Sequence, residues 1–84
     1  MSNYHRRTLE AVFRDPVSGT IVWDDVESML IHLGAQVREG RGSRVGIELN
    51  GQAGHVHRPH PQKEASRGMI RAVRDLLIQA GIQP

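Results

Sequence analysis

The period of the apolar positions changes along this chain, and each change marks an element. Leu9, Val12 and Phe13 recur at i, i+3 and i+4 behind Thr8, a residue suited to a helix cap. That spacing predicts a short amphipathic helix over residues 8–14, stopped by Asp15-Pro16, with His5 in a mobile tail ahead of it. After the turn Val17-Ser18-Gly19-Thr20, Val26, Met29, Leu30 and Leu33 repeat the helical spacing up to Gly34. Asp24 and Glu27 stand three apart at the start of this run and read as an Asp form of the capping box.

From Ala35 the period falls to two. Ala35 and Val37 alternate with Gln36 and Arg38, the Gly-rich turn Glu39-Gly40-Arg41-Gly42-Ser43 follows, and Val45, Ile47 and Leu49 then alternate with Arg44, Gly46 and Glu48. Asn50-Gly51 is a strong two-residue hairpin signal and leads into a third strand, Gln52 to Arg58, which Pro59 and Pro61 end. Met69, Ile70, Val73, Leu76, Leu77 and Ala80 form a broad helical stripe closing at Gly81, where Ile82 is placed to fold back on the helix end. The order is α, α, β, β, β, α. It predicts an α+β two-layer sandwich, a three-stranded antiparallel meander with its helices on one face and its other face open to water.

That alternation sorts the strand residues. With Val45, Ile47, Leu49 and Val56 turned to the helices, Arg44, His55 and His57 share the open side. His32 reads as a residue at a helix boundary, and Trp23, the only Trp, as a core anchor with base stacking as a lesser role.

Length and composition narrow the picture. Eighty-four residues, 38% hydrophobic, make one domain with room for a modest core. The absence of Cys excludes disulfide frameworks, Cys-based zinc sites and thiol catalysis. No stretch approaches the roughly 20 apolar residues of a membrane span, and the N-terminal residues lack the apolar core of a secretory signal, so a cytoplasmic protein without membrane association is expected. Three Arg against five acids leave residues 1–33 at −2, while eight basic against four acidic residues leave residues 34–84 at +4. Ten of the eleven cations are Arg, whose planar fork suits phosphate oxygens. A polyanion fits the basic half, and so does an ordinary solvated surface rich in Arg.

His55-Val56-His57-Arg58-Pro59-His60 is the densest reactive segment. Its i, i+2 imidazoles lie on one face of a strand and could act as an acid/base pair on a phosphodiester, or simply be solvated strand residues. The same spacing aims two nitrogens at one metal ion, but a third ligand from His60 or Glu48 has no support from spacing, and no metal or other cofactor is expected. The hairpin Glu39 to Arg44 has the make-up of an anion-binding turn, with Ser43 adding a hydroxyl and Arg41 and Arg44 adding charge; tight hairpins use the same glycines for geometry alone. Ser43 has no base placed to make it a nucleophile. Arg67, Arg71 and Arg74 recur at i, i+4 and i+7 as a basic stripe able to follow phosphates or to form an ordinary exposed helix face.

Taken together, the capped helix ending in Leu33-Gly34-Ala35, the hairpin Glu39-Gly40-Arg41-Gly42-Ser43, the strand ending Arg58-Pro59-His60-Pro61 and the closing Gly68-Met69-Ile70-Arg71…Leu77-Ile78-Gln79-Ala80-Gly81-Ile82 resemble the HicA toxins of bacterial type II toxin-antitoxin modules. The likeness covers residues 22–82 and leaves residues 1–21 as an N-terminal extension of a single domain. It implies a fold like that of double-stranded RNA-binding domains, an mRNA interferase activity and a cognate HicB-like antitoxin as partner. It also exposes a departure, because the family's hairpin Gly-Ser-His, which supplies the catalytic histidine, reads Gly42-Ser43-Arg44 here. A guanidinium holds a phosphate or stabilises a transition state, but it is no general base.

The expectation is therefore a HicA-like endoribonuclease that works without metal, with His57 as first catalytic candidate, His55 as second and Arg44 as transition-state stabiliser. RNA contacts are expected from Arg38, Arg41, Ser43, Arg44, Arg58, Arg67, Arg71 and Arg74. The alternative is a non-catalytic RNA-binding or antitoxin-docking module that has lost the histidine.

Overall fold

The computed structural model describes residues 3–84. Among these residues three helices, α1 (Asn3–Val12), α2 (Trp23–His32) and α3 (Arg67–Gln79), accompany three strands, β1 (Gln36–Glu39), β2 (Arg44–Leu49) and β3 (Gln52–His57). The strands form one antiparallel meander in the order β1-β2-β3. Asn50 and Gly51 both take positive φ, 52° and 81°, the backbone that a two-residue hairpin with the right twist requires. That turn sets the register. Arg44 pairs with His57, Val45 with Val56 and Gly46 with His55, while Arg38 of β1 lies across Gly46 from the other side.

Val45, Ile47, Leu49 and Val56 are buried under the helices, as the alternation requires. α2 packs over β1, α3 packs over β3, and α1 lies against both helices. Trp23, Val26, Met29, Leu30, Ile70, Val73 and Leu77 join the strands in one core, to which α1 adds Leu9 and Val12. Trp23 is 2% exposed, so it serves that core and its ring is closed to base stacking.

Three local expectations are corrected. α1 begins at Asn3, so His5 lies inside a helix and not in a mobile tail; its ring stacks on His32 of α2 with centroids 4.5 Å apart and planes 20° from parallel. Beside it the Tyr4 hydroxyl donates to the Asp25 carboxylate, a bond that raises the phenol's pKa. Thr8 sits in mid-helix, where its hydroxyl donates back to the Tyr4 carbonyl, and caps nothing. The Asp24–Glu27 capping box does not form either: the N-cap of α2 is Val22, which makes no side-chain bond. Backbone pairing takes its place. Val22 bridges Glu64, the Trp23 amide donates to the Lys63 carbonyl and the Ala65 amide to the Ile21 carbonyl, so the segment before α3 holds the start of α2.

α3 has the ends its sequence announces. Ser66 accepts from the Met69 amide at 3.1 Å, and at the far end Gly81, at φ 80°, closes a Schellman motif with Ile82 N–H on the Leu77 carbonyl and Gly81 N–H on that of Ile78. The Asn50 amide donates to the Ala80 carbonyl at 2.9 Å and so joins the β2–β3 turn to the end of α3.

Candidate functional site

The end of the sheet where β1 turns into β2 carries the reactive groups. Gly42, at φ 61°, lets the loop reverse, and the Gly40 amide closes it on the Arg44 carbonyl at 2.8 Å. Gly40 has a second role: a Cβ there would lie 3.6 Å from the Cβ, Cγ and Cδ of Arg44, so the arginine stem rests on the bare backbone of the hairpin. Beyond the Arg44–His57 pair, the Arg58 amide donates to the Ser43 carbonyl at 2.7 Å and carries the β2–β3 ladder one step further. This clamp brings the Ser43 hydroxyl to 3.4 Å from Nδ1 of His57.

Ser43, Arg44 and His57 are thus gathered at one corner, all exposed. His55 lies one pleat along the same open face, opposite Gly46 and in a row with Arg38, whose guanidinium donates to the Gln36 side chain at 2.9 Å. Arg41 stands exposed in the hairpin loop.

Two of the remaining arginines, Arg58 and Arg74, are bonded elsewhere. Arg58 alternates to the helical side of the sheet, where it pairs with Glu39 of β1 and, at 3.4 Å, with Glu27 of α2. The bond to Glu39 raises its pKa still further. Arg74 donates from Nε to the Val12 carbonyl at 2.9 Å, from Nη2 to the Arg14 carbonyl at 2.7 Å and from Nη1 to Asp15 at 3.1 Å, closing the end of α1. Arg67 lies over the next loop: a Cβ on Gly19 would come 3.1 Å from its guanidinium carbon. The basic stripe read from i, i+4, i+7 spacing is therefore divided, with Arg74 bonded to residues 12–15 while Arg67, beside Gly19, and Arg71 are both exposed.

Two adjoining cavities flank the corner. One of about 220 Å³ is lined by Glu39, Ser43, Arg44, Arg58 and His60. The other, about 450 Å³, runs between β3 and the start of α3 and is lined by His55, His57, Arg58, His60, Met69 and Ala72. Sequence spacing assigns His60 no role, yet it borders both cavities. Among the described residues no three His, Asp or Glu side chains come together closely enough to hold a metal ion.

A family model described as HicA toxin of bacterial toxin-antitoxin matches residues 23–82, from the first residue of α2 to the Schellman closure. The chain belongs to the HicA toxin family. The matched span contains the whole meander, α2, α3 and both cavities, and leaves α1 and the following loop outside it. HicA membership implies an antitoxin partner. No curated protein and no solved structure matches the chain significantly. Among the described residues no helix of this HicA protein is long and apolar enough to cross a membrane.

Proposed function

We propose that this HicA family member is an RNA-cleaving toxin acting on mRNA in the cytoplasm, and that a HicB-like antitoxin restrains it. The observation that carries the reading is the Ser43–His57 contact beside Arg44 at the mouth of two cavities. In the tautomer whose Nδ1–H donates to the Ser43 hydroxyl, the His57 ring is held by one nitrogen and keeps the Nε2 lone pair for a proton. His57 takes the proton of a ribose 2′-hydroxyl as that oxygen attacks the adjoining phosphorus, and Arg44, which cannot take it, neutralises the charge gathering on the phosphate oxygens. This divides between two residues what the family's hairpin histidine and its surroundings do together, and it suits an arginine standing at the hairpin position.

Arg38 and Arg41 extend the cationic surface from this corner along the strand and the loop, and Arg71 adds a separate charge on α3. Arg58 and Arg74 serve the fold first, because contact with RNA would require them to leave carboxylates or carbonyls, whereas Arg67 is exposed beside Gly19. The arginine at the hairpin also suits a second reading, RNA binding without cleavage, and one pair of experiments separates the two. Expression of the wild-type protein alone is expected to arrest growth and His57→Ala to relieve the arrest. Purified protein is expected to cut a long single-stranded mRNA in EDTA, with His57→Ala slower by about 10²-fold or more, the usual weight of a general base. Harmless expression together with salt-sensitive binding of intact RNA would favour the binding module.

A further inference from the structure

Transfer of a 2′-hydroxyl proton is half of the reaction; the departing 5′-oxygen needs a proton as well, and in an in-line displacement it leaves from the side of phosphorus opposite the attacking 2′-oxygen, where a second group has to supply it. We infer that His60 is the catalytic general acid of this site, an inference that rests on the ribonuclease reading above.

The cavities select it. His60 stands in the wall shared by the smaller cavity, which holds Ser43 and Arg44, and the larger groove, which holds His57. A phosphate on Arg44 with its ribose toward His57 therefore has an imidazole on a further side. His55, the other candidate, lines only the larger groove and lies beside Gly46, one pleat away from Arg44. His60 is also exposed, so the core makes no demand on it, and its backbone is stiffened from both directions by Pro59 and Pro61. The residue two before it is anchored through the Ser43 carbonyl and through Glu27 and Glu39, which fixes the base of the segment.

The step balances. His57 accepts the 2′-hydroxyl proton as the O2′–P bond forms, the P–O5′ bond breaks, and the His60 imidazolium gives its proton to O5′. The products are a 2′,3′-cyclic phosphate and a 5′-hydroxyl end, and proton exchange with water returns both rings to their starting states.

A substrate whose leaving group needs no proton tests this role. Once the cleavage position in a short RNA is mapped with the wild-type protein, the same RNA is made with sulfur replacing the bridging 5′-oxygen, since a thiolate departs unassisted. His60→Ala is expected to lose about 10²-fold or more on the oxygen substrate. On the sulfur substrate it should recover to near the wild-type rate, whereas His57→Ala stays slow on both. Circular dichroism and thermal unfolding of His60→Ala should match the wild type, as the side chain is exposed, and His60→Gln should behave like His60→Ala. Wild-type rates for His60→Ala on the oxygen substrate would overturn the inference and leave the ribonuclease reading standing. So would an equal loss on both substrates, which indicates positioning, or sulfur rescue of His57→Ala in its place, which reverses the roles. RNA left intact by the wild type would overturn both readings.

Discussion

Arg74 turns its whole guanidinium inward. Two of its bonds satisfy the Val12 and Arg14 carbonyls where α1 ends, a third pairs it with the Asp15 carboxylate, and its side chain is 18% exposed. Charged donors in such a setting contribute more than surface pairs, so Arg74→Ala is expected to lower the unfolding free energy by about 1.5–3 kcal/mol in urea titration. Arg74→Lys should recover only a fraction, because one ammonium cannot reproduce a planar fork that reaches two carbonyls and a carboxylate. Arg58 makes the opposite case. Its side chain is 37% exposed and that of Glu39 is 70%, so solvent screens the pair, and Arg58→Ala should cost within about 1 kcal/mol although two carboxylates lose a partner.

At the scale of elements, α1 is held by a buried pair and a polar seam. Leu9 and Val12 enter the core, while Tyr4 bonds Asp25 and His5 stacks on His32. Leu9→Ala is expected to cost about 2–5 kcal/mol, read as a lower denaturation midpoint with an unchanged slope, since a buried side chain leaves a cavity. The same helix shows where a local pattern stops being informative. Its second half carries an apolar period, but Asn3 to Arg7 carry none, and they are helical because of partners on α2 that no nearby residue announces. The meander is legible in the sequence, because alternation fixes the faces and Asn50-Gly51 marks the turn. Alternation puts Arg44, His55 and His57 on one side of the sheet, whereas the pairing of Arg44 with His57 and not with His55 depends on how the turn closes. The capping box fails for a tertiary reason, the capture of Val22 and Trp23 by Lys63 and Glu64. Helical spacing puts Arg67, Arg71 and Arg74 on one stripe without revealing that the loop after α1 lies over two of them. The place of His60 beside both cavities is hidden as well, because a segment flanked by prolines has no period from which to infer its surroundings.

At the scale of the molecule, the arginines divide into those that face water and those that bind the chain to itself. Only the first kind can release counterions from RNA. The logarithm of affinity should fall linearly with the logarithm of salt, and Arg38→Ala, Arg41→Ala and Arg71→Ala should each reduce that slope by about 0.7, the value for one contact on a single strand. Arg58→Ala and Arg74→Ala should leave the slope unchanged while altering stability. Fluorescence anisotropy with a labelled RNA, using His57→Ala as the background to prevent cleavage, measures all five.

The closure of α3 bears on how long the protein lasts. Ile82 and Gly81 occupy the carbonyls of Leu77 and Ile78, Asn50 occupies that of Ala80, and Ile82 packs on the core. Degradation advancing from the C-terminal side therefore meets resistance as soon as it reaches Ile82, before any turn of the helix has loosened. A processive protease must there unlock the β2–β3 turn together with the last helical turn, which favours a cooperative opening at this end over gradual fraying.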